Sequence, residues 1–583
     1  MAMRPLDPAV RGVDPSLAKG RARLKVVGAV FALAFLSVGL RLIDMVGWQS
    51  GRTTDAAAAT AAPPVTKVSR ADIVDRNGEL LATNLRVPSV FADPSLMPDI
   101  DRGAERLASA LVGVDAGELK RRLRAAKRFA WVKHEVSPIE QAAVLGLGIP
   151  GVGFRNTEKR VYPRERLAAH VVGFTDLDNQ GLAGVEYALQ DRLVGGAAAG
   201  KKPIALSLDL RVQQIVHDEL LSAYTRFRAQ GAVSMVYDRV TGEMLSLVSL
   251  PDFDPNRVDQ ATVEGRKNRA TGQTYELGSL FKIVSIAMAL DTGKVRMGEM
   301  FDASTPLRIG RHTIRDDHAK KRALSVPEVF MYSSNIGTAK MVFAAGGAEP
   351  LKGFFDRLGL MQRPSLELPE LARPQLPRRW ADSTTATASF GHSIAVTPLQ
   401  FVDAVATIAG DGTRVAPTLL KRQPGERVEA KRLVDARTSE DLRWMMWLTV
   451  AKGTGTQART PSYLIGGKTG TADKVDPARG GYMHGSVIAS FVGVFPIEAP
   501  RYVVLVMLDD PRGDKSSYGL RYGGWTAAPV VREIVSRIGP ILGVEPYSPA
   551  AEARFQDRLA VTQTIAARNQ RKEDRIAFVA SGR

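Results

Sequence analysis

Three short motifs carry side chains that could together perform nucleophilic catalysis. Ser279 lies three residues before Lys282 at the start of an apolar stretch, so a helix there would place both side chains on one face. Ser333 and Asn335 form the second motif, and residues 468–471 form the third. A serine attacks readily only when a base takes its proton, and burial or a nearby cation can lower a lysine's pKa enough to make it that base. The sequence therefore predicts a serine nucleophile paired with a lysine base.

Each motif alone also has an ordinary structural explanation, as a helix cap, a turn or the end of a strand. The spacing of Ser279 and Lys282 recurs at Ser16 and Lys19, where it is coincidental. The chain has 0 Cys, which excludes a thiol nucleophile, a disulfide framework and a cysteine-based metal site. With only 7 His, a Ser-His-Asp triad is not favoured. The order and spacing of the three motifs favour the catalytic interpretation.

Apolar patterning predicts the elements that must position these side chains. The run Ile283–Leu290 is apolar on all sides and predicts a buried helix directly after the Ser279 motif. Tyr463–Gly467 predicts a strand leading into Lys468, with small residues where a ligand would approach the backbone. The other predicted elements are two strand pairs, Val233–Tyr237 with Met244–Val248 and Val487–Val494 with Tyr502–Leu508, and two helices, Asp101–Val112 and Asp115–Lys127.

Composition divides the chain into six segments. In order they are a basic cytoplasmic tail (1–23), a transmembrane signal-anchor (24–48), an Ala/Thr/Pro-rich linker (49–67), an α+β domain (68–200), a large α/β domain (201–546) and a polar C-terminal tail (547–583). The C-terminal tail is expected to be loose or to form one exposed helix.

The predicted anchor centres on the charge-free run Val26–Leu40. Its 15 residues are fewer than the roughly 20 needed to span a bilayer, but apolar neighbours extend the run, and Lys25 and Arg41 can reach the interfaces. A buried core helix and a cleaved signal peptide are the alternatives. The small-residue sites at 56–62 lie too far from the apolar run for ordinary cleavage. We expect one crossing, with the residues after about 48 outside the cytoplasm.

The formal net charge of +18 would suit a polyanion such as nucleic acid, anionic lipid or an acidic wall polymer. Because no long Lys/Arg block and no nucleic-acid motif occurs, we favour a scattered, solvated surface charge. With 24% charged and 45% hydrophobic residues, the composition is that of a globular protein and excludes wholesale disorder.

The three motifs resemble the S-x-x-K, S-x-N and K-T-G set of penicillin-binding proteins, and the resemblance to class B of that family covers almost the whole chain. Residues 70–82 resemble the first amino-terminal motif of the class, with Ala71 in place of the usual Gly. The remaining amino-terminal motifs of the class are similar to three segments of this chain, residues 162–163, 169–173 and 181–186. In the family these motifs hold an amino-terminal pedestal domain against the catalytic domain.

Residues 391–392 and 397–400 resemble the stretch behind the active site, with Ser393 where a second Gly is commoner. Within the class the closer resemblance is to the division-specific, FtsI-type transpeptidases. It rests on residues 276–279, 333–340, 466–474 and 489–496. The elongation-specific relative usually has Asp where this chain has Asn335.

The resemblance implies a fold in three parts. A single N-terminal transmembrane helix is followed by an α+β pedestal domain of the penicillin-binding protein dimerisation type. The third part is an α/β serine transpeptidase domain of the penicillin-binding/β-lactamase-like fold, with an antiparallel sheet flanked by helices.

The resemblance also implies a peptidoglycan D,D-transpeptidase. Ser279 would attack the penultimate D-Ala carbonyl of a stem peptide that ends in D-Ala-D-Ala, and the amine of a neighbouring stem peptide would then take the acyl group. Lys282 would be the general base, and Ser333 would relay a proton to the leaving amine. β-Lactams would trap Ser279 as a stable acyl-enzyme.

Five further residues are implied to bind substrate: Asn335, Lys468, Thr469, Gly470 and Thr471. Asn335 would hydrogen-bond the substrate amide, while Lys468 and the hydroxyls of Thr469 and Thr471 would hold the terminal carboxylate. Backbone N–H groups of Ser279 and Thr471 would form the oxyanion hole. No metal or cofactor is expected.

The implied setting is the bacterial inner membrane at the division septum, with the catalytic domain in the periplasm. The expected partners are peptidoglycan stem peptides, β-lactams, a membrane-embedded septal glycan polymerase and other division proteins, and no nucleic acid. The alternatives are an elongation-type class B transpeptidase, a β-lactamase, a polymerase–transpeptidase, and a non-catalytic β-lactam receptor or division scaffold.

Overall fold

The computed structural model describes residues 25–40, 70–195, 202–476 and 480–560. Residues 25–40 form a helix, which is a unit by itself. The predicted tail 1–23, the linker 49–67 and the rest of the predicted anchor lie outside the described residues. Among the residues that are described, no helix combines the length and the apolar character needed to span a membrane.

The large domain is built on a five-stranded antiparallel sheet. In spatial order its strands are Gly466–Val475, Tyr482–Phe495, Tyr502–Asp509, Gly231–Asp238 and Glu243–Leu250. Both predicted strand pairs are confirmed. The strands are apolar on both faces because helices cover both: Val233 and Met235 point into one core, while Ala232 and Val236 point into the other.

Two helices, Leu210–Arg226 and Ala528–Ile541, cover one face of this sheet. The buried helix Lys282–Asp291 lies on the other face, which confirms the predicted helix Ile283–Leu290. The remaining helices of this side are Val326–Tyr332, Asn335–Ala344, Ala348–Arg357, Asp382–Ser389, Pro398–Ala409 and Ala436–Lys452.

The strand predicted at Tyr463–Gly467 was placed too early. The observed strand begins at Gly466, opposite Val494, and it contains Lys468 and Thr471 instead of ending before them. Its partner strand ends at Phe495 because Pro496 has no N–H to continue the ladder.

The α+β domain contains a second five-stranded sheet, to which the segment predicted as the start of the large domain contributes one strand, Ile204–Ala205. Its strands follow the order Ala130–Lys133, Leu80–Ala92, Ile73–Val74 and Ile204–Ala205, and Val152–Val161 also pairs with Leu80–Ala92. Helices Ile100–Ala110, Ala116–Ala125 and Pro138–Leu147 begin at the capping side chains of Asp99, Asp115 and Ser137. Both helices predicted in this domain are confirmed to within about two residues.

A buried ion-pair cluster centred on Glu186 holds this domain together. Its carboxylate accepts hydrogen bonds from Arg70 Nε at 2.8 Å and from Arg160 Nε at 2.7 Å, and all three side chains are buried. Asparagine 256 of the large domain binds both the backbone N–H and the carbonyl of Tyr162 at 3.0 Å. These contacts agree with the structural role that the resemblance implies for the motifs around residues 70, 162 and 186.

The described part of the predicted polar tail is a helix over residues 549–560. One face of this helix packs against the large domain, where the Phe555 ring lies 5.3 Å from the Trp447 ring and Leu559 is buried, while its other face is exposed. The rest of the tail lies outside the described residues.

Candidate active site

Ser279 lies on a single 3-10 turn, Gly278–Phe281, and the α-helix proper begins at Lys282. The sequence placed Ser279 at the start of that helix. The turn packs tightly against the neighbouring strand: Gly278 has φ +54°, and a Cβ there would lie 2.4 Å from the carbonyl oxygen of Thr471. Glycine at this position therefore lets the nucleophile turn approach the strand backbone.

Lys282 joins the first two motifs. Its Nζ lies 2.9 Å from Ser279 Oγ, 3.1 Å from Ser333 Oγ and 2.7 Å from Asn335 Oδ1. It also donates to the Ser333 carbonyl oxygen at 2.5 Å. A base within this distance of a serine hydroxyl is placed to take its proton.

Burial sets the protonation of Lys282. The side chain is fully buried, which lowers its pKa to about 7, and the nearby carboxylates of Asp316 and Asp317 act in the opposite direction. A lysine with this pKa exists in both protonation states near neutral pH. It can therefore accept a proton in one step and return it in another.

Ser333 occupies the junction of two helices. It follows Val326–Tyr332 in the left-handed conformation, at φ 61°. The next helix, Asn335–Ala344, begins at the capping side chain of Ser334. Ser334 in turn donates to Asp316 Oδ2 at 2.6 Å. Two helix ends and one carboxylate thus orient the Ser333 and Asn335 side chains toward Lys282.

The third motif lies within the edge strand Gly466–Val475. Lys468 is fully buried. Its Nζ donates to Ser333 Oγ at 2.9 Å, and this is the same oxygen that Lys282 contacts. Burial and the cation of Lys282 lower the pKa of Lys468 well below its usual value. Gly470 faces the nucleophile turn, where a Cβ would come within 2.6 Å of Leu280 Cγ.

The structure thus brings Ser279, Lys282, Ser333, Asn335 and Lys468 into one hydrogen-bonded group. The two threonines of the third motif form their hydrogen bonds with residues outside this group. The Thr469 hydroxyl lies 2.7 Å from Thr454 Oγ1, and Thr471 Oγ1 accepts a hydrogen bond from the Gly523 N–H at 3.3 Å.

The sequence analysis missed Asp316, whose carboxylate accepts a hydrogen bond from Ser334 Oγ and so supports this group. Asp316 stands at no informative spacing from a motif, and only the loop path brings it to the site. Glu276 lies in the segment 276–279 that carries the resemblance, but the sequence did not predict its contacts: it binds both the Ser393 N–H and the Tyr482 hydroxyl.

Comparisons with known proteins agree with this geometry. The family model described as penicillin binding protein transpeptidase domain matches residues 232–536, and the penicillin-binding protein dimerisation domain matches residues 65–202. The chain is 39% identical to the probable peptidoglycan D,D-transpeptidase FtsI of Caulobacter vibrioides over 532 residues, covering 90% of this chain and 89% of that protein. It is 32% identical to the peptidoglycan D,D-transpeptidase FtsI of Escherichia coli K12, covering 82% and 84% of the two chains.

The fold is also shared with solved structures. Penicillin-binding protein 3 of Mycobacterium tuberculosis, complexed with ampicillin, superposes with a TM-score of 0.65 at 26% identity and covers 83% of this chain and 97% of that chain.

Class B penicillin-binding proteins are defined by two features. They have a serine and a buried lysine at the edge of a helix-covered sheet, and a dimerisation-type domain precedes this sheet in the chain. The two matched domains together cover most of the described residues after residue 70. The chain belongs to this family and, within it, to the FtsI-type peptidoglycan D,D-transpeptidases.

Proposed function

We propose that this protein cross-links peptidoglycan stem peptides through an acyl-enzyme on Ser279 during septal wall synthesis. One observation carries the chemistry: Lys282 Nζ lies 2.9 Å from Ser279 Oγ, buried where its pKa falls to about 7. The relatives named as peptidoglycan D,D-transpeptidases support the substrate class.

In the acylation step, neutral Lys282 takes the Ser279 proton as Oγ bonds to the carbonyl carbon of the penultimate D-Ala. The terminal D-Ala leaves as an amine and receives a proton through Ser333, whose hydroxyl contacts both lysines. Backbone N–H groups of Ser279 and Thr471 stabilise the oxyanion, each by about 3–4 kcal/mol. Asn335 holds the substrate amide, and Lys468 supplies positive charge for the terminal carboxylate.

In the second step, the amine of another stem peptide attacks the ester carbonyl, and the bond from the carbonyl carbon to Ser279 Oγ breaks. The amine gives up one proton as the amide forms, and Oγ regains one through Lys282, which is neutral again at the end of the step. A β-lactam acylates Ser279 in the same first step. The reaction stops there, because the acyl group stays bonded to Ser279. Structural neighbours solved with aztreonam and ampicillin support this ligand class.

Covalent labelling tests the nucleophile directly. Ser279→Ala should abolish labelling by fluorescent penicillin, a loss on the order of 10⁴–10⁶ in rate. Ser285→Ala is a matched control, because Ser285 is a serine of the following helix that is buried and is no part of the site. Labelling that persists in Ser279→Ala with an unchanged melting curve would move the nucleophile elsewhere.

The proposed location is the inner membrane, with the segment 24–48 as a retained anchor and the catalytic domain in the periplasm. The apolar run Val26–Leu40 behind basic residues supports this placement. Amino-terminal sequencing of the membrane-extracted protein tests it. A mature start near residues 58–63 would mean a cleaved signal peptide.

The proposed partners are a membrane-embedded septal glycan polymerase and other division proteins. Resemblance to FtsI-type proteins and Asn335 support a septal role over a side-wall role. Depletion in cells should block septation and leave filaments or unseparated branched cells. Rounded cells that still divide would point to the elongation type.

A further inference from the structure

His392 is a largely buried histidine beside the nucleophile turn, and the steps above leave it unused. Gly391, directly before it, accepts a backbone hydrogen bond from the Gly278 N–H at 3.2 Å. A Cβ at Gly391 would lie only 2.2 Å from the Gly278 carbonyl oxygen. His392 is therefore held against the segment that carries Ser279.

The imidazole is partly exposed, and its Nδ1 is buried. Nδ1 is buried beside the Phe390 carbonyl without a well-formed hydrogen bond. Among the described residues, Nε2 of His392 has no hydrogen-bond partner. Buried polar atoms without partners, such as Nδ1 here, are uncommon in folded proteins, and a catalytic role is one of their known explanations.

Three charges face the imidazole from different elements. Lys282 lies on the nucleophile helix, Asp473 on the edge strand and Asp317 on the loop before the Ser333 motif. Burial lowers the pKa of His392 below its usual value, Lys282 lowers it further, and the two carboxylates act in the opposite direction. The ring is therefore neutral at pH 7 and able to accept a proton.

The half-buried carboxylate of Glu276 fixes the surroundings of His392. Glu276 Oε1 accepts a hydrogen bond from the Ser393 N–H at 2.8 Å, and Oε2 accepts one from the Tyr482 hydroxyl at 3.0 Å. Ser393 has φ 63°, and the Tyr482 ring centroid lies 5.8 Å from that of His392. Glu276 thus holds the residue after His392 and the ring packed against it, which leaves the imidazole little freedom.

We propose that His392 is the general base of the second step, in which its Nε2 accepts a proton from the attacking amine of the acceptor stem peptide. This inference rests on the proposed function. The amine nitrogen becomes acidic as it bonds to the ester carbonyl carbon, and His392 takes one proton from it. Lys282, left neutral by the acylation step, first takes one proton from solvent. The bond from the carbonyl carbon to Ser279 Oγ breaks as Oγ takes that proton, which leaves Lys282 neutral for the next acylation. His392 releases the amine proton to solvent, so protons balance.

The test separates the two steps on the full-length protein. Acylation is measured with fluorescent penicillin, and aminolysis with a synthetic stem-peptide thioester as donor and a D-amino acid as acceptor amine. His392→Gln and His392→Phe should lower aminolysis by roughly 10²-fold, at least about tenfold more than they lower acylation. Added imidazole should restore aminolysis in His392→Ala. His312→Gln, at an exposed histidine of a separate small hairpin, is the matched control.

Equal losses in both steps, or aminolysis that imidazole does not restore, would mean that His392 only supports packing and would overturn the inference. If His392→Gln is labelled normally by penicillin and its aminolysis is unchanged, this inference is overturned while the proposed function stands. Absence of labelling in the wild-type protein would overturn the proposed function, and this inference with it.

Discussion

At the residue scale, two buried lysines share one hydroxyl. Lys282 and Lys468 both place Nζ within about hydrogen-bond distance of Ser333 Oγ, at 3.1 and 2.9 Å. Two ammonium groups so close in a dry site repel each other, which favours a state in which one of them is neutral. Only Lys282 also contacts Ser279, so a neutral Lys282 is the state that can begin the reaction.

We expect the acylation rate to rise with pH through about 7. Burial lowers the pKa of Lys282 to about 7, and the neutral form that acts as base accumulates above that value. The second-order rate constant for fluorescent penicillin should therefore increase between about pH 6 and 8. A melting curve recorded at each pH is the control. A rate that stays flat from about pH 5 to 8 would contradict the assignment of Lys282 as base.

The two lysines should respond differently to arginine. Lys282→Arg should lower acylation by roughly 10³-fold or more, because a guanidinium does not lose its proton near neutral pH. Lys468→Arg keeps the positive charge and should lose less, through altered geometry around Ser333. Stopped-flow acylation of both variants measures the difference. Equal, mild losses would refute the distinct roles.

At the scale of elements, the site depends on a close approach between the turn Gly278–Phe281 and the strand Gly466–Val475. Gly470 lies at the contact: a Cβ there would meet Ser490 Oγ at 2.4 Å, Leu280 Cγ at 2.6 Å and the Leu277 carbonyl oxygen at 2.8 Å. A strand residue with a side chain would push the third motif away from Ser279.

Gly470→Ala should therefore lower acylation by at least about tenfold and destabilise the fold by about 1–3 kcal/mol, the usual range for overpacking. Gly353→Ala is the matched control, because Gly353 lies within a helix with open space at its Cβ. That change should be neutral or slightly stabilising. Unaltered kinetics in Gly470→Ala would show that the turn and the strand can separate without loss.

At the scale of the whole molecule, the Glu186 cluster stabilises the α+β domain, which in turn contacts the catalytic domain. Glu186→Ala would leave Arg70 and Arg160 buried without their counter-charge, so we expect a loss of about 3–5 kcal/mol in the free energy of unfolding. Denaturant unfolding measures it. Glu105→Ala, which breaks an exposed pair with Lys120, should cost less than about 1 kcal/mol. Similar losses for both variants would contradict the structural role of Glu186.

The sequence alone predicted the side chains that we propose to be reactive, and it identified much of the framework. Ser279, Lys282 and Lys468 stand in short local motifs, and the strand pairs around residues 233–248 and 487–508 follow from apolar runs bounded by turn residues. Such features can be read from sequence because neighbouring residues alone produce them, through side-chain periodicity and turn chemistry.

The tertiary structure determined features that the spacing of the motifs cannot predict. It placed Lys468 inside a strand because the partner strand ends before Pro496. It also packed one face of the helix 549–560 against Trp447, a contact that the sequence did not predict for its polar tail. It brought Gly391, and with it His392, against the turn that carries Ser279 from a segment more than a hundred residues away. Burial, which lowers the pKa of Lys282, arises only when distant helices and strands close over the side chain, and no local pattern records that closure.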